Sequence, residues 1–270
     1  MTTQPSGIVT LMSDLGTVDG YAAALKGAIL NAVPRPILID ITHHIPNRDV
    51  TEAAFQLAVV FPVFPAGTVH LVVVDSATAG NTRGVCVEIG GHFFVAPDNG
   101  VLTLAMANTD PERAVALDRD EFRRPGSVGS FEARDLFAPV AGALASGSAP
   151  FESLGTPLDT TALFKLPWTA VVDAPGRVHA PVVSVDRHGN CRTLITRQHL
   201  QGDLSRMLVR CGDVLVRGIH ESYADVAVGK TLALFGSHGG LELAVRGGSA
   251  AASWELQRGD VVVVSREDVE

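Results

Sequence analysis

The sequence predicts an α/β N-terminal domain with a mostly parallel sheet, followed by a smaller all-β domain, either a barrel or a sandwich. Three observations carry this. Short apolar runs alternate with helical apolar stripes as far as Asp75, the pattern of strand–helix–strand units. Beyond Trp168, short Val-rich runs broken by turn residues take over, which is how small β domains read. Aromatic residues are only 6% of the chain while 46% is hydrophobic, which suits layers packed from Ala, Val and Leu.

The elements follow in order. Gly7 to Met12 is a buried strand that ends in Ser13-Asp14-Leu15-Gly16. Tyr21, Leu25, Ala28 and Ile29 recur at helical spacing, and Pro34 and Pro36 close that helix. Ile37 to Ile41 is a second strand, ending in Thr42-His43-His44. Val50, Ala53, Ala54, Leu57, Ala58 and Phe61 form the next helical stripe, stopped by Pro62 and Pro65. Val69 to Val74 is a third strand and delivers Asp75. Asp14, His43 and Asp75 therefore all follow the C-terminal ends of strands, the edge where open α/β sheets hold ligands.

Val85 to Ile89 and Phe93 to Ala96 pair around Gly90-Gly91, Pro97-Asp98-Asn99-Gly100 is a turn, and Asp135 to Leu144 is a helix. The stretch from Ala145 to Trp168 holds the linker, so the domains are expected at 1–160 and 161–270. Turn signals such as Arg187-His188-Gly189-Asn190, Gly212-Asp213 and Gly239-Gly240 punctuate the second domain.

Composition excludes several function classes. A net charge of -8 without a basic run argues against a nucleic-acid partner, which requires clustered Lys and Arg. Cys86, Cys191 and Cys211 are odd in number and widely spaced, so neither a disulfide framework nor a zinc site is expected. His43-His44 is adjacent, not spaced i, i+4 on a helix, and reads as two strand-end histidines instead of metal ligands. No metal and no cofactor are expected. The N-terminus has no secretory pattern and no apolar run reaches membrane-spanning length, which predicts a cytoplasmic location and no membrane partner.

Five motifs then occur in order: Met12-Ser13-Asp14-Leu15-Gly16, Ala96-Pro97-Asp98-Asn99-Gly100, Phe131-Glu132-Ala133-Arg134-Asp135-Leu136-Phe137, Val185-Asp186-Arg187-His188-Gly189-Asn190 and Gly236-Ser237-His238-Gly239-Gly240-Leu241-Glu242. Together they resemble the SAM hydroxide adenosyltransferase family, or SAM hydrolases, relatives of the SAM-dependent fluorinase and chlorinase. The resemblance spans nearly the whole chain. It implies a barrel-like C-terminal domain and a homotrimer in which the N-terminal domain of one subunit and the C-terminal domain of the next form each site. It also implies SAM as substrate, with adenosine and L-methionine as products.

Carried over by motif, Asp14 holds the ribose hydroxyls; a carboxylate suits a vicinal diol because it accepts two hydrogen bonds. Asp186 and Asn190 grip the methionine ammonium. Ser237 and His238 serve adenine or the methionine carboxylate. Thr78 and Phe131 line the pocket near the ribose and C5′, Ala133 lies beside them, Arg246 faces pocket or solvent, and the turn at Asp98-Asn99 supports a pocket wall. The family's reacting centre is an Asp-Arg-His set. Asp75 keeps the Asp position, Arg83 follows as the Arg, and Glu132 stands where the family has His.

Physically, water is a poor nucleophile, with a pKa of about 15.7, so attack at C5′ opposite the sulfonium calls for a base. Asp75, Arg83 and Glu132 in contact would form a charged triad, with Arg83 holding Asp75 ionised and one carboxylate taking the proton. The same carboxylates repel an entering halide by several kcal/mol at about 4 Å in a low-dielectric pocket, and Ala133 lacks the hydroxyl that the fluorinase offers there. Hydroxide is therefore the expected nucleophile. The alternatives are a halogenase, a SAM or adenosine binder without turnover, and a Ca²⁺-dependent nucleoside hydrolase suggested by Asp14 and Asp19. That last group uses denser Asp spacing than this chain has.

Overall fold

The computed structural model describes residues 3–32, 36–75, 82–107, 109–127, 130–167, 171–174 (backbone only) and 177–266. The chain divides into two compact units, Met1–Leu166 and Pro167–Glu270.

In the first unit, β1 (Ile8–Ser13), α1 (Tyr21–Ala32), β2 (Ile37–Thr42), α2 (Val50–Val60) and β3 (Val69–Val73) alternate as the apolar periodicity predicts. β4 (Gly84–Ile89) and β5 (His92–Pro97) form the Gly90-Gly91 hairpin, and β6 (Pro111–Ala116), α3 (Ala138–Ala145) and β7 (Thr156–Leu158) follow. The strand order is β2-β1-β3-β5-β4-β6-β7. The β1–β2, β1–β3 and β3–β5 pairs are parallel, and the pairs that β4 and β6 make are antiparallel.

Strand side chains alternate faces, so each face builds its own core. Val9, Leu11, Leu71 and Val73 pack with Leu25 and Ile29 of α1 and with α3. Met12, Val72 and Val74 pack with Ala53 and Leu57 of α2 on the other face. Asp49 caps α2 by accepting the Glu52 N–H at 3.0 Å.

The helix expected from Asp135 starts differently. Ala133–Phe137 is a single π turn, with the Ala138 N–H bonded to the Ala133 carbonyl, and α3 continues from it. Pro139 has no N–H for the Asp135 carbonyl four residues back. The Arg124 N–H takes that carbonyl instead, at 2.8 Å. The Asp135 side chain is buried and clasped by Arg134 at 2.7 Å through two nitrogens. The conspicuous Arg134-Asp135 pair of the motif is thus a structural staple.

The second unit contains β8 (Val171–Ala174), β9 (Arg177–Val185), β10 (Cys191–Thr196), β11 (Met207–Cys211), β12 (Val214–Arg217), β13 (Thr231–Phe235), β14 (Gly240–Val245), the short α4 (Ala250–Trp254) and β15 (Val261–Arg266). Its antiparallel order is β12-β11-β15-β9-β10-β14-β13, with β8 beside β9. A bridge from His220, just after β12, to Leu234 of β13 draws the two ends of this order together. The sheet is nearly closed, so of barrel and sandwich it is the barrel. Val178, Val182, Cys191, Val209, Leu243 and Val264 fill the interior.

All three cysteines are free and buried. Burial lifts the Cys191 and Cys211 thiols to about 12 and about 11, so neither supplies a thiolate at neutral pH. Among the described residues, no helix is long and apolar enough to cross a membrane.

Candidate functional site

Because β1 lies between β2 and β3 in the sheet, the residue following β1 is flanked by the loops that leave both neighbours. The chain runs from β1 outward to β2 and then back past β1 to β3, so β1/β3 is a topological switch point, where ligands settle in such sheets. Asp14 sits there. Its Oδ2 accepts the backbone N–H of Arg48, from the loop after β2, at 2.9 Å, and that of Asp75, after β3, at 3.4 Å.

Arg48 and Asp75 both have left-handed backbones, with φ of 60° and 47°. Among the described residues only Glu255 joins them as a non-glycine with positive φ. Such geometry is costly for these residue types and gathers at functional sites. The Arg48 Nε also lies 3.7 Å from Asp75 Oδ1. Sequence reading missed Arg48 altogether, although Pro46-Asn47-Arg48-Asp49 is a run of turn formers, because a turn signature does not say which strand end the arginine meets.

The expected triad needs correction. Arg83 is not placed on Asp75: its Nε and outer guanidinium nitrogen reach Asp98 Oδ2 at 2.9 and 2.8 Å, and it also donates to the Ala162 carbonyl at 3.0 Å. The hairpin register is the cause. Gly84 pairs with Pro97, so the next residues outward, Arg83 and Asp98, face each other. Glu132 is held by Arg123 at 2.7 Å, and Arg123 in turn reaches Asp120. That hydrogen bond to Glu132 is the main cause that raises the Arg123 pKa. Glu132 immediately precedes the π turn, against which the Asp120–Arg124 segment folds.

Asn99 is satisfied by backbone on both sides: its Nδ2 donates to the Val74 carbonyl at 2.9 Å and its Oδ1 accepts the Val101 N–H at 3.2 Å. It braces the strand end beside Asp75. Phe131 is half-buried, meets Tyr21 edge-on at 5.6 Å and lies 5.2 Å from the Arg134 guanidinium. Ala133 is fully buried in the core under α3. Thr78 lies outside the described residues.

In the second unit, Asp186 organises a tight turn. Its Oδ1 accepts the N–H groups of His188 and Asn190, both at 2.9 Å, and its Oδ2 accepts the Asn190 side-chain amide at 3.0 Å. Gly189 adopts φ of 81°, and a Cβ there would lie 1.9 Å from Ser249 Oγ. The two predicted ammonium ligands are thus in contact. Ser237 is exposed in the β13–β14 turn, while the His238 ring is buried with Nδ1 3.7 Å from Glu242 Oε2. Burial, helped by Arg192, depresses His238 to about 4, so its ring is neutral at pH 7. Burial pushes the Glu242 carboxyl up, against the Tyr223 hydroxyl that donates to it. Sequence reading did not single out Tyr223 or Arg192; they lie on separate segments and converge only in the barrel. Arg246 donates to the carbonyls of Ala224 and Val226, at 3.3 and 2.6 Å, and so braces that loop. Among the described residues, no three His, Cys, Asp or Glu side chains group as a metal site.

Comparison with known proteins follows the same division. Residues 9–155 match the SAM hydroxide adenosyltransferase N-terminal domain, and residues 180–263 match the SAM hydroxide adenosyltransferase C-terminal domain. A Thermus thermophilus protein named (R)-S-adenosyl-L-methionine hydrolase is 34% identical over 258 residues, 93% of this chain and 96% of its own. A fluorinase from Actinopolyspora mzabensis is 26% identical over 291 residues, 96% of this chain and 97% of its own. The crystal structure of an uncharacterized conserved protein from Thermotoga maritima matches with a TM-score of 0.88 at 29% identity, over 96% of this chain and 100% of that one.

Proposed function

We propose, since this chain belongs to the SAM hydroxide adenosyltransferase family, that it is a SAM hydrolase: water or hydroxide attacks C5′ of S-adenosyl-L-methionine and gives adenosine and L-methionine. The observation that carries the reading beyond family membership is the convergence of Asp14, Arg48 and Asp75 at the β1/β3 switch point.

Asp75 is the base. It lies beside a cation, Arg48, and its backbone is tied to Asp14. The Asp75 carboxylate takes one proton from water as the oxygen closes on C5′ in line with the departing sulfur. Methionine leaves as a neutral thioether, so the sulfonium charge is discharged in the same step. Asp14 Oδ1 takes the ribose hydroxyls while Oδ2 holds the two loop N–H groups. Asp186 and Asn190 take the methionine ammonium, Ser237 and His238 the adenine or carboxylate, and Phe131 and, by the family resemblance, Thr78 the wall around C5′; Ala133, fully buried in the core, lies behind that wall and does not touch the substrate. Arg83 and Glu132 act as positioning residues through the loops they pin. To touch Asp75, each would first have to leave Asp98 or Arg123.

The halogenase alternative draws on the fluorinase relatives. It is opposed by the Asp75 carboxylate, since a halide entering a dry site needs donors and no nearby anion. The family resemblance supports a homotrimer with sites at subunit interfaces, and the sequence supports a cytoplasmic location; sedimentation equilibrium tests the former.

The decisive experiment incubates purified, EDTA-treated protein with SAM, with and without chloride, and separates the products by chromatography. Adenosine plus methionine under both conditions is expected. A halogenated adenosine would establish the halogenase, and intact SAM with bound ligand would establish a binder without turnover.

A further inference from the structure

We propose that His43 and His44 form a clamp on the Ser13–Thr17 loop and so position Asp14 for ribose recognition without touching the substrate. The proposal rests on the reading of Asp14 as the ribose ligand.

The His43 ring is 3% exposed, with Nδ1 2.7 Å from Ser13 Oγ and Nε2 3.1 Å from Asp40 Oδ1. Asp40 is itself bonded to Lys26 Nζ at 2.6 Å. Partial burial pulls the Asp40 carboxyl up, but hydrogen bonds from Lys26 and His43 outweigh it and leave it below its ordinary value. An ionised Asp40 can only accept, so the His43 proton sits on Nε2 and the Nδ1 lone pair faces Ser13. The Ser13 hydroxyl then donates to Nδ1, and its oxygen accepts the Leu15 N–H at 3.4 Å. Donation runs from the Leu15 N–H through Ser13 and His43 toward Asp40, which Lys26 meets as a donor from the other side.

Four more bonds complete the grip. The His43 carbonyl accepts the Gly16 N–H at 2.7 Å, where Gly16 adopts φ of 68°. The Ser13 carbonyl accepts the Ile45 N–H at 3.3 Å. His44 Nε2 lies 3.3 Å from Thr17 Oγ1, and the His44 N–H bonds Thr42 Oγ1 at 3.0 Å. The loop is thereby held at residues 13, 15, 16 and 17, with Asp14 between the fixed points. His43 Nδ1 is bonded to Ser13 and its Nε2 lies 3.1 Å from Asp40 Oδ1, which gives the adjacent histidine pair a role that needs no metal.

Two substitutions separate the ring's two ends. The side-chain amide of His43→Asn stands near the position of Nδ1 and keeps the Ser13 bond. That of His43→Gln reaches toward Nε2 and keeps only Asp40. Ser13→Ala removes the same link with little change of volume and serves should a His43 variant fail to fold. Dissociation constants for adenosine and 2′-deoxyadenosine are measured by calorimetry, and KM and kcat with SAM. Wild type should prefer adenosine, because a site built to bond a hydroxyl rejects the analogue lacking it. His43→Gln and Ser13→Ala should lose most of that preference and raise KM about 10-fold, with kcat within about 3-fold, the signature of lost uniform binding. His43→Asn should stay within about 3-fold of wild type throughout. Unchanged preference and KM in His43→Gln and Ser13→Ala would overturn the clamp. A wild type that binds both nucleosides equally would instead overturn the ribose role of Asp14.

Discussion

Arg83 and Asp98 face each other one residue beyond the last pair of the β4–β5 ladder, and both arginine nitrogens converge on Asp98 Oδ2. Asp98 Oδ1 accepts the Phe164 N–H at 2.9 Å, so this ion pair ties the hairpin mouth to the segment that ends the first unit. The cation beside Asp75 is Arg48.

That arrangement ranks the acidic residues. Asp75→Asn should lower kcat at least about 100-fold, the usual worth of a general base. Glu132→Gln should lower it less than about 10-fold and cost about 1 kcal/mol of stability through the weakened Arg123 pair. Steady-state kinetics and urea melts check both. A Glu132→Gln enzyme as damaged as Asp75→Asn would put Glu132 at the reacting centre.

The second unit offers a contrast between a ligand residue and a brace. Asp186→Asn should raise KM for SAM about 10-fold while leaving adenosine binding within about 2-fold, because only SAM brings an ammonium to the carboxylate. Arg246→Met removes donors to the Ala224 and Val226 carbonyls and should act mainly on the melting temperature. Calorimetric titration with SAM and with adenosine distinguishes the two.

His70 and His92 form a buried pair, Nε2 to Nδ1 at 3.2 Å, with Thr10 Oγ1 2.7 Å from His70 Nδ1. Burial drives His70 to about 3 and also lowers His92. A depressed histidine is neutral in the fold and takes up its proton on unfolding. Its stabilisation is therefore complete above about pH 6.5 and is lost as pH falls toward 3. His70 alone should make the protein about 2 kcal/mol less stable at pH 5 than at pH 7.5. Urea melts of wild type and His70→Gln at the two pH values test this; the variant should show a flatter dependence.

Gly84 opens β4 directly beneath Phe137, and a Cβ there would lie 2.2 Å from the ring. Phe137 is buried in the core under α3 and cannot swing to solvent. Gly84→Ala should cost about 1–3 kcal/mol, and Phe137→Leu in the same chain should restore part of it. A double-mutant cycle measures that coupling.

Some of the site could be read directly from short-range pattern. Asp14, His43 and Asp75 mark strand ends because the strands are short apolar runs with polar exits. The Arg83–Asp98 pair was also implicit, because Gly90 and Gly91, with φ of 58° and 76°, make a two-residue turn that sets the hairpin register; the family motif drew Arg83 toward Asp75 instead. The early start of the helix, at Ala133 and ahead of Asp135, was hidden because a π turn has no periodicity of its own, although Pro139 marked where an ordinary helical bond would be missing.

By itself, the sequence determined the two-domain architecture, the strand ends that carry carboxylates, the Asp186–Asn190 turn and, through its motifs, the family. The tertiary structure alone decided that Arg48 stands beside Asp75, that Glu132 belongs to Arg123, and that Tyr223 and His238 meet at Glu242. The physical reason is that apolar period and turn chemistry act over a few residues, whereas the meeting of two loops depends on strand order. Only the placement of β1 between β2 and β3, set by burying both faces of the whole sheet, brings the backbone of Arg48 and of Asp75 onto one oxygen of Asp14.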